Sequence, residues 1–175
     1  MKTLIFKFSA ISAILFCVLK AQPQKPATLV QTSDFIKAIY VDNFYQVKAG
    51  NLALKKAKDG GVKAFGSQMV ADYTQLEEQL RKLSPEKKYQ LTEADSTDVI
   101  IGKLLTTNSG ADFDRYYVSI MITRDNNMAE AYSIASKNQD DPQIREYARK
   151  NLQIIRDHLS SVTALAKRIH TQISQ

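Results

Sequence analysis

A small set of polar residues interrupts otherwise apolar helical stripes, and chemistry would have to occur there. Asp42 and Gln46 lie four residues apart and therefore share one helix face. Side chains from different helices of a bundle can converge at one level of its core, where they bind metals or form hydrogen-bonded networks. The set consists of Asp42, Gln46, Asp72, Tyr73, Arg124, Asp125 and His158.

Metal binding is one chemistry that this set suggests, with His158, Asp125, Asp72 and Asp42 as the candidate ligands. A di-iron carboxylate site uses several carboxylates and usually a Glu-x-x-His spacing on each of two helices. No Glu-x-x-His occurs in the sequence. Arg124 would also repel a cation bound beside Asp125. The sequence therefore predicts no cofactor, and an atypical site for a transition metal is the alternative hypothesis.

A hydrogen-bonded network is the interpretation that the same residues favour. Tyr73 and His158 can form hydrogen bonds inside a bundle, with Asp125 or Asp42 as acceptor and Arg124 as charge partner. Buried polar groups need such partners, and a network of this kind can fix the register of the helices.

Covalent catalysis is not supported by the pattern. Ser160 and Ser161 are the nucleophiles nearest to His158, but they follow it on the same helix and point away from it. No oxyanion-stabilising motif accompanies them. We therefore predict that the protein is not an enzyme.

The elements that position these residues are predicted to be helices throughout. The apolar residues recur at spacings of three and four, without alternating strand patterns or a Gly-rich phosphate loop. Capping and breaking residues, including Pro85 as the stop of the second helix, give the boundaries. The predicted helices span residues 32–58, 62–83, 111–137 and 141–170, with a short extra helix over 95–105.

Four long helices with one apolar stripe each must bury those stripes against one another. The predicted fold is therefore all-α: a four-helix bundle with a short extra helix between the second and third helices. The segment between those two helices is long enough to cross the bundle. We expect a single domain over residues 32–172, preceded by a flexible lead over 22–31.

Residues 1–21 have the organisation of a secretory signal peptide. Lys2 and Lys7 provide positive charge, residues 8–19 form an apolar core, and the small residue Ala21 precedes a polar run. The apolar core is too short for a membrane-spanning helix. We therefore predict export to the periplasm or cell envelope after cleavage near Ala21, with no transmembrane span in the mature chain.

Charge and cysteine content restrict the possible partners further. Loss of Lys2, Lys7 and Lys20 with the signal peptide lowers the formal net charge from +6 to +3. Such a small basic excess, interleaved with acids, is typical of a solvated surface, and no nucleic-acid partner is expected. The only cysteine, Cys17, lies in the signal peptide, and Phe16 before it is too large for a lipoprotein cleavage site.

Four segments of the chain also occur together, in the same order, in a known family. They are SDFIKAIYVDNFYQVKAGNLAL, VKAFGSQMVADYT, SGADFDRYYVSIMITRDN and LQIIRDHLSSV. The match as a whole spans roughly Asp34 to Leu165. The sequence thereby resembles an exported, ferritin-like family built on a domain of unknown function, whose members are often labelled outer membrane proteins. The resemblance implies an up-and-down helical bundle of ferritin-like type and carries no established activity.

This chain departs from the polar residues usual in that family. Members tend to have Glu at the position of Gln46, and Asp-His where this chain has Asp72-Tyr73 and Arg124-Asp125. The histidine of the last helix is kept as His158. The departures remove ligands that a metal site would need.

The sequence as a whole therefore predicts an exported, non-enzymatic envelope protein with a structural, stress-related or binding role. The partner of a binding role is unknown, and another protein of the envelope is one possibility. Binding through exposed apolar residues would use Tyr40, Val41 and Phe44 of the first helix.

Overall fold

Four α-helices make up nearly all of the chain that the structure describes. The computed structural model describes residues 32–87, 101, 106 and 109–173. Within these residues there is no β-strand, so the prediction of an all-helical protein is confirmed. The helices are α1 (Thr32–Lys56), α2 (Gly60–Lys87), α3 (Ala111–Asn138) and α4 (Pro142–Ile173).

The helices form two antiparallel hairpins that pack into a four-helix bundle. α1 packs along α2, and α3 packs along α4; the hairpins then meet through α2 against α4 and α1 against α3. The Gly110 amide donates to the Lys56 carbonyl oxygen at 3.0 Å, so α3 begins where α1 ends. α2 and α3 therefore run in the same direction, so the predicted up-and-down order of the helices is wrong. The end of α2 and the start of α3 lie at opposite ends of the bundle.

The junction between α1 and α2 lies slightly earlier than predicted, because Asp59 serves as the N-cap of α2. Its Oδ1 accepts hydrogen bonds from the amides of Gly61 at 2.8 Å and Val62 at 3.1 Å. Asp114 of α3 accepts from the amides of Lys58 and Asp59 at 3.1 and 2.9 Å. These bonds end α1 at Lys56 and tie the junction to the second hairpin.

Two further helix boundaries can be compared with the predictions made from capping and breaking residues. The prediction that Pro85 ends α2 is wrong, since α2 continues to Lys87. A proline in a final turn removes one amide donor and need not stop the helix at once. The prediction for α4 is confirmed: Asp141 Oδ1 accepts from the amides of Gln143 at 2.9 Å and Ile144 at 3.4 Å.

Two further predictions lie mainly outside the described residues. These are the signal peptide with its lead, residues 1–31, and the short helix over 95–105. Ile101 is described, and its side chain is buried with the bundle core.

The core lies where the four apolar stripes meet, as the periodicity predicted. Some residues that follow the spacing of three and four, such as Leu83, Ile120 and Leu159, are only half-buried at the margin of the core. The largest side chains that are almost completely buried are Tyr45, Tyr73, Tyr117, Tyr132, Phe113, Ile36, Ile39, Met69, Leu76, Leu80 and Met121.

Two glycines let α1 and α2 approach unusually closely. A Cβ atom added to Gly66 would lie 2.7 Å from the Cβ of Ala53 and 2.9 Å from the carbonyl oxygen of Gly50. A Cβ atom added to Gly50 would lie 2.6 Å from the carbonyl oxygen of Gly66. Backbone atoms cannot give way as a flexible side chain can, so the spacing of this hairpin depends on both glycines.

Replacement of Gly66 by alanine is expected to lower the free energy of unfolding by about 1–3 kcal/mol, because the added methyl group overpacks the α1–α2 contact. Gly60→Ala is the matched control, since its added Cβ atom would meet nothing within 4 Å. That variant should change stability by no more than about 1 kcal/mol. Urea unfolding measures both, and equal effects would contradict the close approach.

Candidate functional site

Five of the seven polar residues singled out in the sequence meet at one level of the bundle. They form a core cluster that consists of Asp42, Gln46, Tyr73, Arg124 and Asp125. Gln46 Nε2 of α1 donates to Asp125 Oδ1 of α3 at 3.0 Å. The Tyr73 hydroxyl of α2 donates to the same oxygen at 3.4 Å. Gln46 and Asp125 are fully buried. The core cluster therefore joins three helices through one carboxyl group.

Asp42 has a charge partner of its own across the α1–α3 contact. The guanidinium of Arg124 forms an ion pair and a hydrogen bond with Asp42 Oδ1. The side chain of Asp42 is 3% exposed and that of Arg124 is 21% exposed. The same guanidinium lies 3.7 Å from the centre of the Tyr45 ring, a cation–π contact that also holds it.

His158 connects α4 to α2 and packs against Tyr73 of the core cluster. Its Nε2 lies 2.8 Å from Asp72 Oδ2, and its ring centre is 5.4 Å from that of Tyr73. His158 is 0% exposed, whereas the Asp72 side chain is 31% exposed. Burial lowers the pKa of His158, and the hydrogen bond and charge of Asp72 oppose that shift. The imidazole is thus neutral near pH 7, with Nε2–H donating to Asp72.

The four candidate metal ligands are divided between the core cluster and the separate contact of His158 with Asp72. Asp72 meets His158, while Asp42 meets Arg124 and Asp125 meets Gln46 and Tyr73. Across the described part of the chain, no three His, Cys, Asp or Glu side chains come together as a metal site would require. The hypothesis that His158, Asp125 and Asp72 converge on one ion is therefore not supported by their placement.

The electrostatics of the core cluster are dominated by burial. Burial, followed by the charge of Asp42, raises the pKa of Asp125 to about 8, against hydrogen bonds from Gln46 and Tyr73. Burial also raises the pKa of Asp42, while the Arg124 guanidinium opposes this. Two carboxyl groups and one guanidinium thus share an environment that disfavours a net charge.

Sequence reasoning missed a second polar level, near the start of α4. The Tyr147 hydroxyl donates to the Leu76 carbonyl oxygen at 3.1 Å, and Asn151 Nδ2 donates to Gln79 Oε1 at 3.1 Å. The sequence did contain a signal for this second level. Asn151 lies three residues after Ala148, a spacing that places it on the buried face of α4, and it is itself buried. Asn43 and Asp114 are further buried polar residues that the prediction omitted.

Two grooves flank the His158–Asp72 contact along the line where α2 meets α4. One has a volume of about 440 Å³ and lies beside Leu83, Pro142 and Tyr147. The other has a volume of about 400 Å³ and lies beside Phe65, Leu165 and Arg168. This line of contact is therefore closed at its centre and indented toward both ends.

The apolar patch predicted on α1 is smaller than expected. Tyr40 is buried at 4% exposure, and its hydroxyl accepts a hydrogen bond from Arg81 at 2.7 Å. Val41 and Phe44 are half-buried, and the Lys48 ammonium group lies 4.0 Å from the centre of the Phe44 ring. Within the described residues, the one exposed large apolar side chain is Leu54.

The fold and this buried core cluster define an all-helical bundle with a polar centre. The model of the family described as Domain of unknown function (DUF4142) matches residues 18–165, and the chain belongs to that family. No curated protein and no solved structure shows a significant match to the chain. None of the helices in the described ranges is long and apolar enough to cross a membrane.

Proposed function

We propose that the protein is an exported, non-enzymatic component of the cell envelope with a structural, stress-related or binding role. One observation carries the non-enzymatic part: the side chains best suited to chemistry are buried and engaged between helices. His158 and Asp125 are both 0% exposed. A general base must come within hydrogen-bonding distance of the proton that it removes from a substrate.

Export is supported by the order of charge, apolar core and small residue in residues 1–21. The family match begins at residue 18, so nearly all of the matched region follows that segment. The mature chain would then start near residue 22 and work in the periplasm or at the envelope. If it binds an envelope protein, the two grooves along α2 and α4 are surfaces available for that contact.

A ferritin-like topology belongs to the same proposal. Ferritin-like bundles contain one long connection that crosses from one end of the bundle to the other. The shared direction of α2 and α3 supports such a connection here. Ile101, which is helical and buried, supports a short extra helix within it.

Export is tested by expressing the full chain with a C-terminal tag in a Gram-negative host and determining the N-terminus of the product. We expect a processed protein beginning near residue 22 in the envelope fraction. Replacement of Leu15 by arginine interrupts the apolar core and should leave an unprocessed, cytoplasmic protein. As the control, Leu54→Arg changes an exposed side chain of α1 and should leave processing intact. An unprocessed wild-type chain in the cytoplasm would refute export.

A further inference from the structure

The core cluster contains one more carboxyl group than it has cationic partners. Asp42 and Asp125 are both buried, and Arg124 is the guanidinium beside them. If both carboxyl groups were ionised, the cluster would retain one uncompensated negative charge away from water. Such a charge is costly, and the usual outcome is that the group binds a proton instead.

The ion pair with Arg124 indicates which carboxyl group stays ionised. Asp42 Oδ1 contacts the guanidinium directly. Asp125 is hydrogen-bonded to two neutral side chains, those of Gln46 and Tyr73. A nearby opposite charge favours the ionised form of a carboxyl group, so the proton belongs on Asp125.

Four atoms of the cluster are buried without a hydrogen-bond partner in the part of the chain that the structure describes: Asp42 Oδ2, Arg124 Nε, Gln46 Oε1 and Asp125 Oδ2. The last two show where that proton can lie. Gln46 Nε2 donates to Asp125 Oδ1 at 3.0 Å, which brings the two planar groups together. The second oxygen of each group, Asp125 Oδ2 and Gln46 Oε1, is buried without a hydrogen-bond partner among the described residues. Two acceptors cannot bond to each other, but one added proton converts such a pair into donor and acceptor.

We propose that Asp125 is a neutral carboxylic acid in the folded protein and that its Oδ2–H donates to Gln46 Oε1. With the observed Gln46 Nε2–H bond to Oδ1, this closes a two-bond ring between an amide and an acid. A single proton thereby pairs two buried atoms and balances the charge of the cluster.

Each helix contributes titratable or charged groups around Asp125, and none of them replaces that proton. α1 provides Asp42 and Tyr45, and α2 provides Tyr73. α3 provides Arg124, paired with Asp42, and Tyr117, whose pKa burial raises far above neutrality. α4 provides His158, which is neutral and bonded to Asp72.

The consequence is a bundle that loses stability as the solution becomes alkaline. An unfolded aspartate ionises near its ordinary value of 3.8, whereas burial raises the pKa of Asp125 to about 8 in the folded protein. The folded state therefore keeps a proton that the unfolded state releases. Between pH 6.5 and 7.5, release of this proton should increase the unfolding equilibrium constant about eightfold, and the increase levels off around pH 8. Unfolded His158 releases its own proton around pH 6.5, which offsets up to about twofold of that increase.

The test compares urea unfolding of the wild type and Asp125→Asn at pH 6.5 and 7.5. The ratio of the wild-type unfolding constant to that of Asp125→Asn should rise about eightfold between these values, because His158 contributes equally to both. The Asp125→Asn constant itself should not rise, because the amide keeps the shape of the acid without a titrating proton. Asp112→Asn is the matched control: Asp112 is exposed on the same helix, and its loss should leave the rise of this ratio intact.

Nuclear magnetic resonance of the ¹³C-labelled carboxyl carbons gives a second measurement on the unmodified chain. The Asp125 resonance, identified by its loss in Asp125→Asn, should be that of a protonated acid at pH 6.5 and should titrate near pH 8. Titration of Asp42 in its place, or of Asp125 near 3.8, would overturn the proposal. So would an unfolding constant that changes when choline replaces sodium and potassium, because a metal cation would then supply the missing charge.

Discussion

Replacement of Arg124 by methionine should lower the free energy of unfolding by about 3–5 kcal/mol at neutral pH. Methionine keeps the length of the side chain but removes the guanidinium that contacts Asp42. The carboxyl group of Asp42 would then be buried without a charge partner, at a side-chain exposure of 3%. Breaking a buried ion pair from one side is costly because the remaining charge stays away from water.

The pH dependence of this variant distinguishes loss of the charge from loss of packing. Without Arg124, Asp42 can relieve its burial only by binding a proton, as Asp125 is proposed to do. The destabilisation should therefore grow from pH 6.5 to pH 8, measured by urea unfolding. A loss that is the same at both values would indicate packing alone.

Two further variants complete the measurement on this ion pair. Asp42→Asn with Arg124→Met should be less destabilised than the sum of the single variants, since the double variant leaves no unpaired charge. Arg149→Met is the matched control, because Arg149 forms an ion pair with Glu146 on the exposed side of α4. Its removal should have little effect, as is usual for surface pairs. Strict additivity at Asp42 and Arg124 would contradict the proposed coupling.

The helices of this protein could be predicted from its sequence because their signals are local. Apolar residues at spacings of three and four gave the four buried stripes, and Asp141 followed by Pro142 gave the start of α4. Pro85 was misleading for a local reason too, since a proline in the last turn costs a helix only part of its bonding. Local rules thus identified the helices, but they located the helix ends only to within a few residues.

The polar residues of the site could be identified in the same way, but their partners could not. Asp42, Asp125 and His158 stand out because they interrupt apolar stripes. Which of them meet depends on which helices are neighbours and on how far each is shifted along the bundle. The sequence left Asp72 free to join Asp125, whereas the structure places it against His158. The close contact at Gly66 was missed because it also depends on the neighbouring helix.

Substitution of His158 by alanine tests the structural role of this residue and should lower stability by about 2–4 kcal/mol. The variant loses a fully buried ring that packs on Tyr73, together with the bond to Asp72. Asp72→Asn is the matched control: its amide oxygen still accepts from Nε2–H, and its side chain is partly solvated, so a smaller loss is expected.

A buried, neutral histidine should make the free energy of unfolding increase with pH on the acid side of neutrality. Because burial lowers the pKa of His158 below 6.5, the unfolded chain binds a proton that the folded chain does not. Wild-type stability should therefore gain a contribution that rises with pH and levels off above 6.5, opposite in direction to that of Asp125, and His158→Ala should lack it. Metal content of the untagged wild type and variant completes the test: a stoichiometric metal lost with the imidazole would contradict a purely structural role. Equal metal content, with the loss confined to stability, would leave His158 as the residue that joins α4 to α2.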